Sequence, residues 1–162
     1  MTNTDILADI EAIKQLKARY CRLLDSKDWE AWRDLFTDDF HSDTAESGGK
    51  DIIGADEFVR FVRSALGKST RATVHQVHAP EIEIISSTEA KGIWALNDIV
   101  RFGIGLNLNG YGHYHETYQK IDGAWKIKYS KLTRLREDVF NGLFSIYIAN
   151  WFRSFIIRKL RK

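Results

Sequence analysis

His75 stands in the stretch "ATVHQVHAPEIEI", residues 72–84, which otherwise has the β-branched texture of a strand. A neutral imidazole is the side chain best placed to move a proton near pH 7. A carboxylate that reached it would fix its tautomer and stabilise the imidazolium. Asp25, just after the apolar run that ends at Leu24, is the carboxylate considered for that part. Spacing alone does not bring the two together. Local turn chemistry is the plainer account of Asp25, and a satisfied core histidine that of His75.

Two more polar groups stand in apolar rows. In "AKGIWALNDIVRF", alternation puts Gly92, Trp94, Leu96, Asp98, Val100 and Phe102 on one face, with Asp98 the only ionisable group among them. Such a carboxyl is desolvated unless something pairs with it. If unpaired, it would serve as a hydrogen-bond donor. Tyr20 falls on the apolar stripe of the N-terminal segment, where its ring is core and its hydroxyl needs a partner. Trp94, Leu96 and Tyr114 are the candidate walls of a substrate pocket.

His113 and His115 share one strand face and could chelate a metal. The barrel pattern that follows His-x-His with a Glu four or five residues later has Gln119 and Lys120 in those places. Glu116 turns to the other face, so no metal site is expected. The glycines of "GIGLNLNGYG" precede a strand rather than a helix and read as hairpin geometry, not a phosphate loop.

These residues need elements to hold them. Ile6, Ile10, Ile13, Leu16, Tyr20, Leu23 and Leu24 recur at helical steps and predict a helix over 5–24, capped by Thr4 or Asp5. A short helix capped by Asp28 buries Trp29, Trp32, Leu35 and Phe36. The stretch from Phe40 to Ile53 reads as an edge strand plus loop. A third helix, about 55–66, ends at Gly67. Four strand-like runs follow, separated by "SSTE", "NLNG" and "DG"; Asn-Gly and Asp-Gly suit tight hairpins. Pro80, the only proline, marks an edge position or a bulge. Helices followed by an antiparallel meander make an α+β domain, with helices on one face of a curved sheet.

The 162 residues fit one domain, with 44% hydrophobic and 28% charged residues. A single cysteine, Cys21, allows no internal disulfide and suits a reducing compartment. The last 24 residues carry five basic groups and no acid, so the body has a net charge of −3 against +2 overall. A mildly acidic body gives no footprint for nucleic acid. The N-terminus has no signal-peptide core, and the cytoplasm is the expected location.

The runs "IEAIKQLKARYCRLLDSKDWEAWRDLFTDDF", "TVHQVHAPEIEI", "GIWALNDIVRF", "GYGHYHETYQKIDGAWKI" and "KLTRLR" resemble the SnoaL-like branch of the nuclear-transport-factor-2-like superfamily. The likeness covers roughly residues 5 to 137. It is greatest to the group of bile-acid 7α-dehydratase, scytalone dehydratase and hexachlorocyclohexane dehydrochlorinase. The resemblance implies a cone, a strongly curved, mostly antiparallel sheet wrapped around the helices. It implies an Asp25–His75 dyad, with Tyr20 and Asp98 as further catalytic groups. Some members also use a last-strand arginine. Arg134 is nearest, but alternation sets it with Lys126 and Lys128, facing out unless a bulge intervenes.

The expected activity is that of a cofactor-free, dehydratase-like lyase, or an isomerase or cyclase, acting on a small, apolar, steroid-like or polyketide-like ligand. Rival readings are a non-catalytic lipophilic-ligand-binding module and an accessory subunit of the same fold. The expected organisation is a 1–138 SnoaL-like domain and a hydrophobic, basic-ended helix over 139–162. That tail would pack on protein, at the pocket mouth or in a homo-oligomer contact, or lie peripherally in a membrane interface.

Overall fold

The computed structural model describes residues 2–103 and 106–141. Three helices, α1 (Asn3–Ser26), α2 (Trp29–Arg33) and α3 (Ala55–Leu66), pack on six strands: β1 (Phe36–Asp43), β2 (Asp51–Ile53), β3 (Thr73–Ile84), β4 (Glu89–Gly103), β5 (Leu106–Ile121) and β6 (Ala124–Asn141). The fold is α+β. Its curved, unclosed sheet has the order β2-β1-β6-β5-β4-β3, antiparallel throughout except for the parallel β1–β6 pair.

α1 starts two residues earlier than its stripe suggests and is not capped by Thr4 or Asp5. Thr2 is the cap, its hydroxyl accepting from the Asp5 N–H while Asp5 returns a bond to the Thr2 N–H. Lys27, left-handed at φ 64°, ends the helix, which puts Asp25 in the last turn. α2 stops at Arg33, so Phe36 opens β1 rather than extending a helix. The helices and the inner sheet face meet in an aromatic core. Trp32 lies 5.4 Å from Tyr20, 5.0 Å from Phe36 and 5.3 Å from Phe58, ring to ring.

Bulges decide what faces this core. β3 slips between His78 and Glu81, at Ala79 (φ 45°) and Pro80. β3 is also an edge strand, so Pro80 costs no inter-strand bond on its free side. β6 slips twice. Trp125 and Ile127 face inward; an extra residue at Lys128 then turns Ser130, Leu132 and Arg134 inward. A second extra residue at Leu135 restores the original phase. The outward placement of Arg134 expected from simple alternation is therefore overturned by the Lys128 bulge.

Three further expectations change. Asp122-Gly123 makes the β5–β6 turn with φ angles of 50° and 80°, but Asn109-Gly110 lies inside β5 and turns nothing. Phe102 follows Asp98 and Val100 on the inner face yet is exposed, because it lies past the helices. β6 runs through Asn141, so the boundary expected at 138 falls within a strand; the rest of the tail lies outside the described residues.

Candidate active site

The register sets the polar residues in a row across the inner face. His75 on β3 pairs with Asp98 on β4, and Asp98 with Gly110 on β5. α1 lays Asp25 against the β3 end of this row. His75 Nδ1 lies 2.7 Å from Asp25 Oδ1, and the His75 backbone N–H donates to Asp25 Oδ2 at 2.8 Å. The Thr73 hydroxyl donates to Asp25 Oδ1 at 2.8 Å while accepting from Lys27 Nζ at 2.6 Å. Burial lowers the Lys27 amine from its ordinary value, and Asp25 opposes that. The Asp25 carboxylate can only accept, so it makes Nδ1 the donating ring nitrogen and leaves Nε2 outside this pair.

At the other end, Arg134 reaches over β5 to Asp98. Nη1 and Nη2 bond the two carboxylate oxygens, the latter at 3.0 Å. Arg134 Nε lies 3.0 Å from Glu137 Oε1, a charge contact without hydrogen-bond direction. Burial lowers the Arg134 guanidinium, but Asp98 outweighs it and holds the group above its ordinary value. The crossing is possible because Gly110 has no side chain: a Cβ there would strike Arg134 Nη1 and Asp98 Oδ1. Asp98 is thus a paired acceptor, not the unpaired donor considered from sequence.

Tyr20 and Tyr114 stand beside the row, rings 6.1 Å apart and edge-on. Burial, reinforced by Tyr114 and Glu116, pushes the Tyr20 hydroxyl far above its ordinary value; burial and Asp98 do the same to Tyr114. Both hydroxyls are hydrogen-bond donors rather than bases. Leu96 and Trp94 point inward as well, but Trp94 Nε1 donates to the Tyr118 hydroxyl at 2.7 Å, deeper than the row.

That deeper group contains residues the sequence reading missed. Lys17 Nζ and Glu116 Oε1 are 2.5 Å apart, both side chains 0% exposed. Glu116 also accepts from Ser130 at 3.1 Å and Tyr118 at 2.6 Å. The Lys17 cation sits 4.1 Å from the Tyr20 ring centre and 3.8 Å from that of Tyr114. Lys17 is four residues after Ile13 and three before Tyr20, a spacing that placed it on the buried stripe. Burial pushes the neighbouring Cys21 thiol up to about 11, with Lys17 pulling the other way.

On the opposite, outer face, the twist of the sheet leaves an open concavity of 590 Å³ flanked by Glu81, Glu83, Lys91, Ile93, His115 and Tyr129. It lies on the other side of the sheet from His75 and farther along the strands, beyond the β3 slip. Its charged side chains are exposed, and Glu83 and Lys91 pair with each other at 2.9 Å. Buried, convergent polar groups lie only on the inner side, which is therefore the candidate site. His113 and His115 face outward, and His115 contacts the Thr133 hydroxyl at 3.2 Å. Among the described residues no three His, Cys, Asp or Glu side chains gather as a metal site.

Known structures share this architecture. A scytalone dehydratase-like protein from Novosphingobium aromaticivorans superposes with a TM-score of 0.77, covering 90% of this chain and 100% of its own at 23% identity. The hexachlorocyclohexane dehydrochlorinase LinA-type3 of Novosphingobium barchaimii gives 0.76, covering 90% and 99% at 17% identity. At these identities the likeness is one of fold, the nuclear-transport-factor-2-like cone. The SnoaL-like domain model matches residues 5–131, and the chain belongs to that family. "Probable cyclase FGR4" of Gibberella zeae is 27% identical over 135 residues, which cover 76% of this chain and 89% of that protein.

Proposed function

We propose that the chain is a dehydratase- or cyclase-type enzyme that removes a carbon-bound proton from a small, apolar, cyclic substrate, with His75 as the base. The observation that carries this reading is the His75–Asp25 pair. It is a buried imidazole oriented by a carboxylate at Nδ1, with Nε2 left without a hydrogen-bond partner among the described residues. Relatives named for cyclase, dehydratase and dehydrochlorinase activity supply the reaction class.

In the reading, Nε2 takes a proton from carbon beside a carbonyl, and the C–H electron pair moves toward that carbonyl. Arg134, held by Asp98, and the Tyr20 hydroxyl face the oxygen on which negative charge grows. When a β-hydroxyl departs, the electrons return to form the C=C bond. The imidazolium returns its proton to the leaving hydroxide, which becomes water. Trp94, Leu96 and Tyr114 supply the apolar walls, and no cofactor is called on.

The test is solvent-deuterium exchange into a panel of cyclic enones and β-hydroxyketones, read by mass spectrometry. The wild type should label at the carbon beside the carbonyl. His75→Ala should lose about 10²–10⁴-fold in rate with its unfolding midpoint kept. Near wild-type labelling by that variant removes His75 as the base. A ligand that perturbs the His75 ring signals without any exchange instead makes the protein a binding module.

A further inference from the structure

Six of the twelve large apolar side chains left exposed among the described residues are Phe102, Leu106, Tyr111, Leu135, Val139 and Phe140. Four of them, Phe102, Leu106, Val139 and Phe140, lie at the β4–β5 hairpin end of the sheet, where Gly103 pairs with Leu106, Leu108 with Val139 and Asn107 with Phe140, while Tyr111 and Leu135 lie level with Asn97, next to the Asp98–Gly110 pair. Alternation turns Phe102, Leu106 and Val139 to the inner face, beyond the Asp98 row, and Tyr111 and Phe140 to the outer. The end is therefore apolar on both sides, and a layer packed on one face leaves the other wet. A patch this concentrated marks an interaction surface.

Its charges point to the kind of partner. The Arg71 guanidinium lies 5.9 Å from the Phe102 ring centre. Asp138 is neutralised by Arg136 at 2.8 Å, and Glu137 faces Arg134. The chain leaves this end at Asn141. The sequence that follows is rich in Phe, Ile, Trp and Leu and carries Arg153, Arg158, Lys159, Arg161 and Lys162 with no acid. Arg134 is shared between Glu137 and Asp98, so one carboxylate is in excess at that point, and the five basic groups of the acid-free sequence after Asn141 outweigh it. Apolar and aromatic groups with a net basic continuation match an anionic lipid interface.

We propose that the hairpin end of the sheet docks on an anionic lipid surface. Phe102, Leu106, Val139 and Phe140 enter the interface, with the Arg71 guanidinium beside Phe102 at the headgroup level. The same end is the mouth of the inner face: Asp98 lies four strand residues from Phe102, about 13 Å at strand rise. On the functional reading above, a lipophilic substrate would pass from the acyl region to His75 without crossing water.

The experiment uses the full chain and vesicles of phosphatidylcholine, alone or mixed with phosphatidylglycerol. The protein should float with the mixed vesicles, less with phosphatidylcholine alone and less at high salt. The triple variant Leu106→Ser/Val139→Ser/Phe140→Ser, with the tail intact, should lower partitioning at least about tenfold. These side chains are exposed, so an unchanged melting temperature is expected and checks folding. Because Cys21 is buried, a polarity-sensitive dye at Leu106→Cys labels one site, and its emission should shift to the blue on mixed vesicles.

Failure of the wild type to float overturns the proposal. So does flotation of the triple variant at the wild-type level. A dye already shielded without vesicles and unchanged by them also overturns it, and assigns this end to residues 142–162 or to a second copy. His75→Ala should float like the wild type, so failure of the catalytic reading leaves this result standing.

Discussion

Two polar clusters share the inner face of one sheet and differ in how completely they are paired. Around Lys17 and Glu116, both side chains are sealed from water, and every polar contact ends on another member of the cluster. Around His75 and Asp98, the side chains are only slightly more exposed, 6% for His75 against 24% for Asp25, yet one ring nitrogen is left over. Burial is common to both. The spare ring nitrogen separates a group that can act on a ligand from one that braces the core. Satisfied networks rigidify; a partly satisfied one beside an opening can do chemistry.

The contrast is easiest to break at the deeper cluster. Lys17→Met strands Glu116 without its cation and should cost about 3–5 kcal/mol in urea unfolding. Lys17→Met/Glu116→Gln should recover a large part of that loss. Equal losses in single and double variants would show that the two charges are not coupled. Asp25→Asn is the corresponding change in the row. It should cost about 10²-fold or more in rate with a small change in midpoint. Should it unfold the protein instead, the row is a brace like the deeper cluster.

Gly110→Ala sharpens the comparison from the side. Its Cβ would wedge between Arg134 and Asp98, so a loss of about 1–3 kcal/mol is expected, with exchange slowed. Unchanged stability and rate would mean the pair relaxes apart at no cost.

The smallest effect belongs to Asp9, a control remote from both clusters. Burial raises its carboxyl, but bonds from Lys120 and Trp125, the latter at 2.9 Å, win and hold it below its ordinary 3.8. A depressed folded-state value stabilises above about pH 4 and is lost as pH falls through that lower value. Asp9→Asn should flatten acid unfolding in that window by about 1 kcal/mol or less. An unaltered acid limb would discount the Lys120–Asp9 contact.

His75, Tyr20 and Asp98 stand out in the sequence because each is a polar type set in an apolar pattern, whereas Asp25 follows an apolar run and only the family resemblance joins it to His75. Lys17 does not stand out, since a lysine on a helix is ordinarily solvated and its partner is 99 residues away. Arg134 failed for another reason: parity arguments hold only between bulges, and nothing in "WKIKYSKLTRL" announces one. Asn109-Gly110 carried a turn signal, but the glycine is used for the space it leaves.

The two slips in β6 act like a frameshift and its suppressor. Between Tyr129 and Arg134 the strand is read one place out of step, and only that window sends Ser130 to Glu116 and Arg134 to Asp98. Deleting Lys128 alone would close that slip and set Tyr129 directly after Ile127, so Ser130, Leu132 and Arg134 would keep their inward faces on a straighter strand. Deleting Leu135 would likewise leave Glu137 and Val139 inward. Removing a residue from the regularly paired window, Lys131 for instance, would instead turn Leu132 and Arg134 outward unless a new slip absorbed it. Lineages of this fold should tolerate gaps at positions 128 and 135 better than gaps between Tyr129 and Arg134.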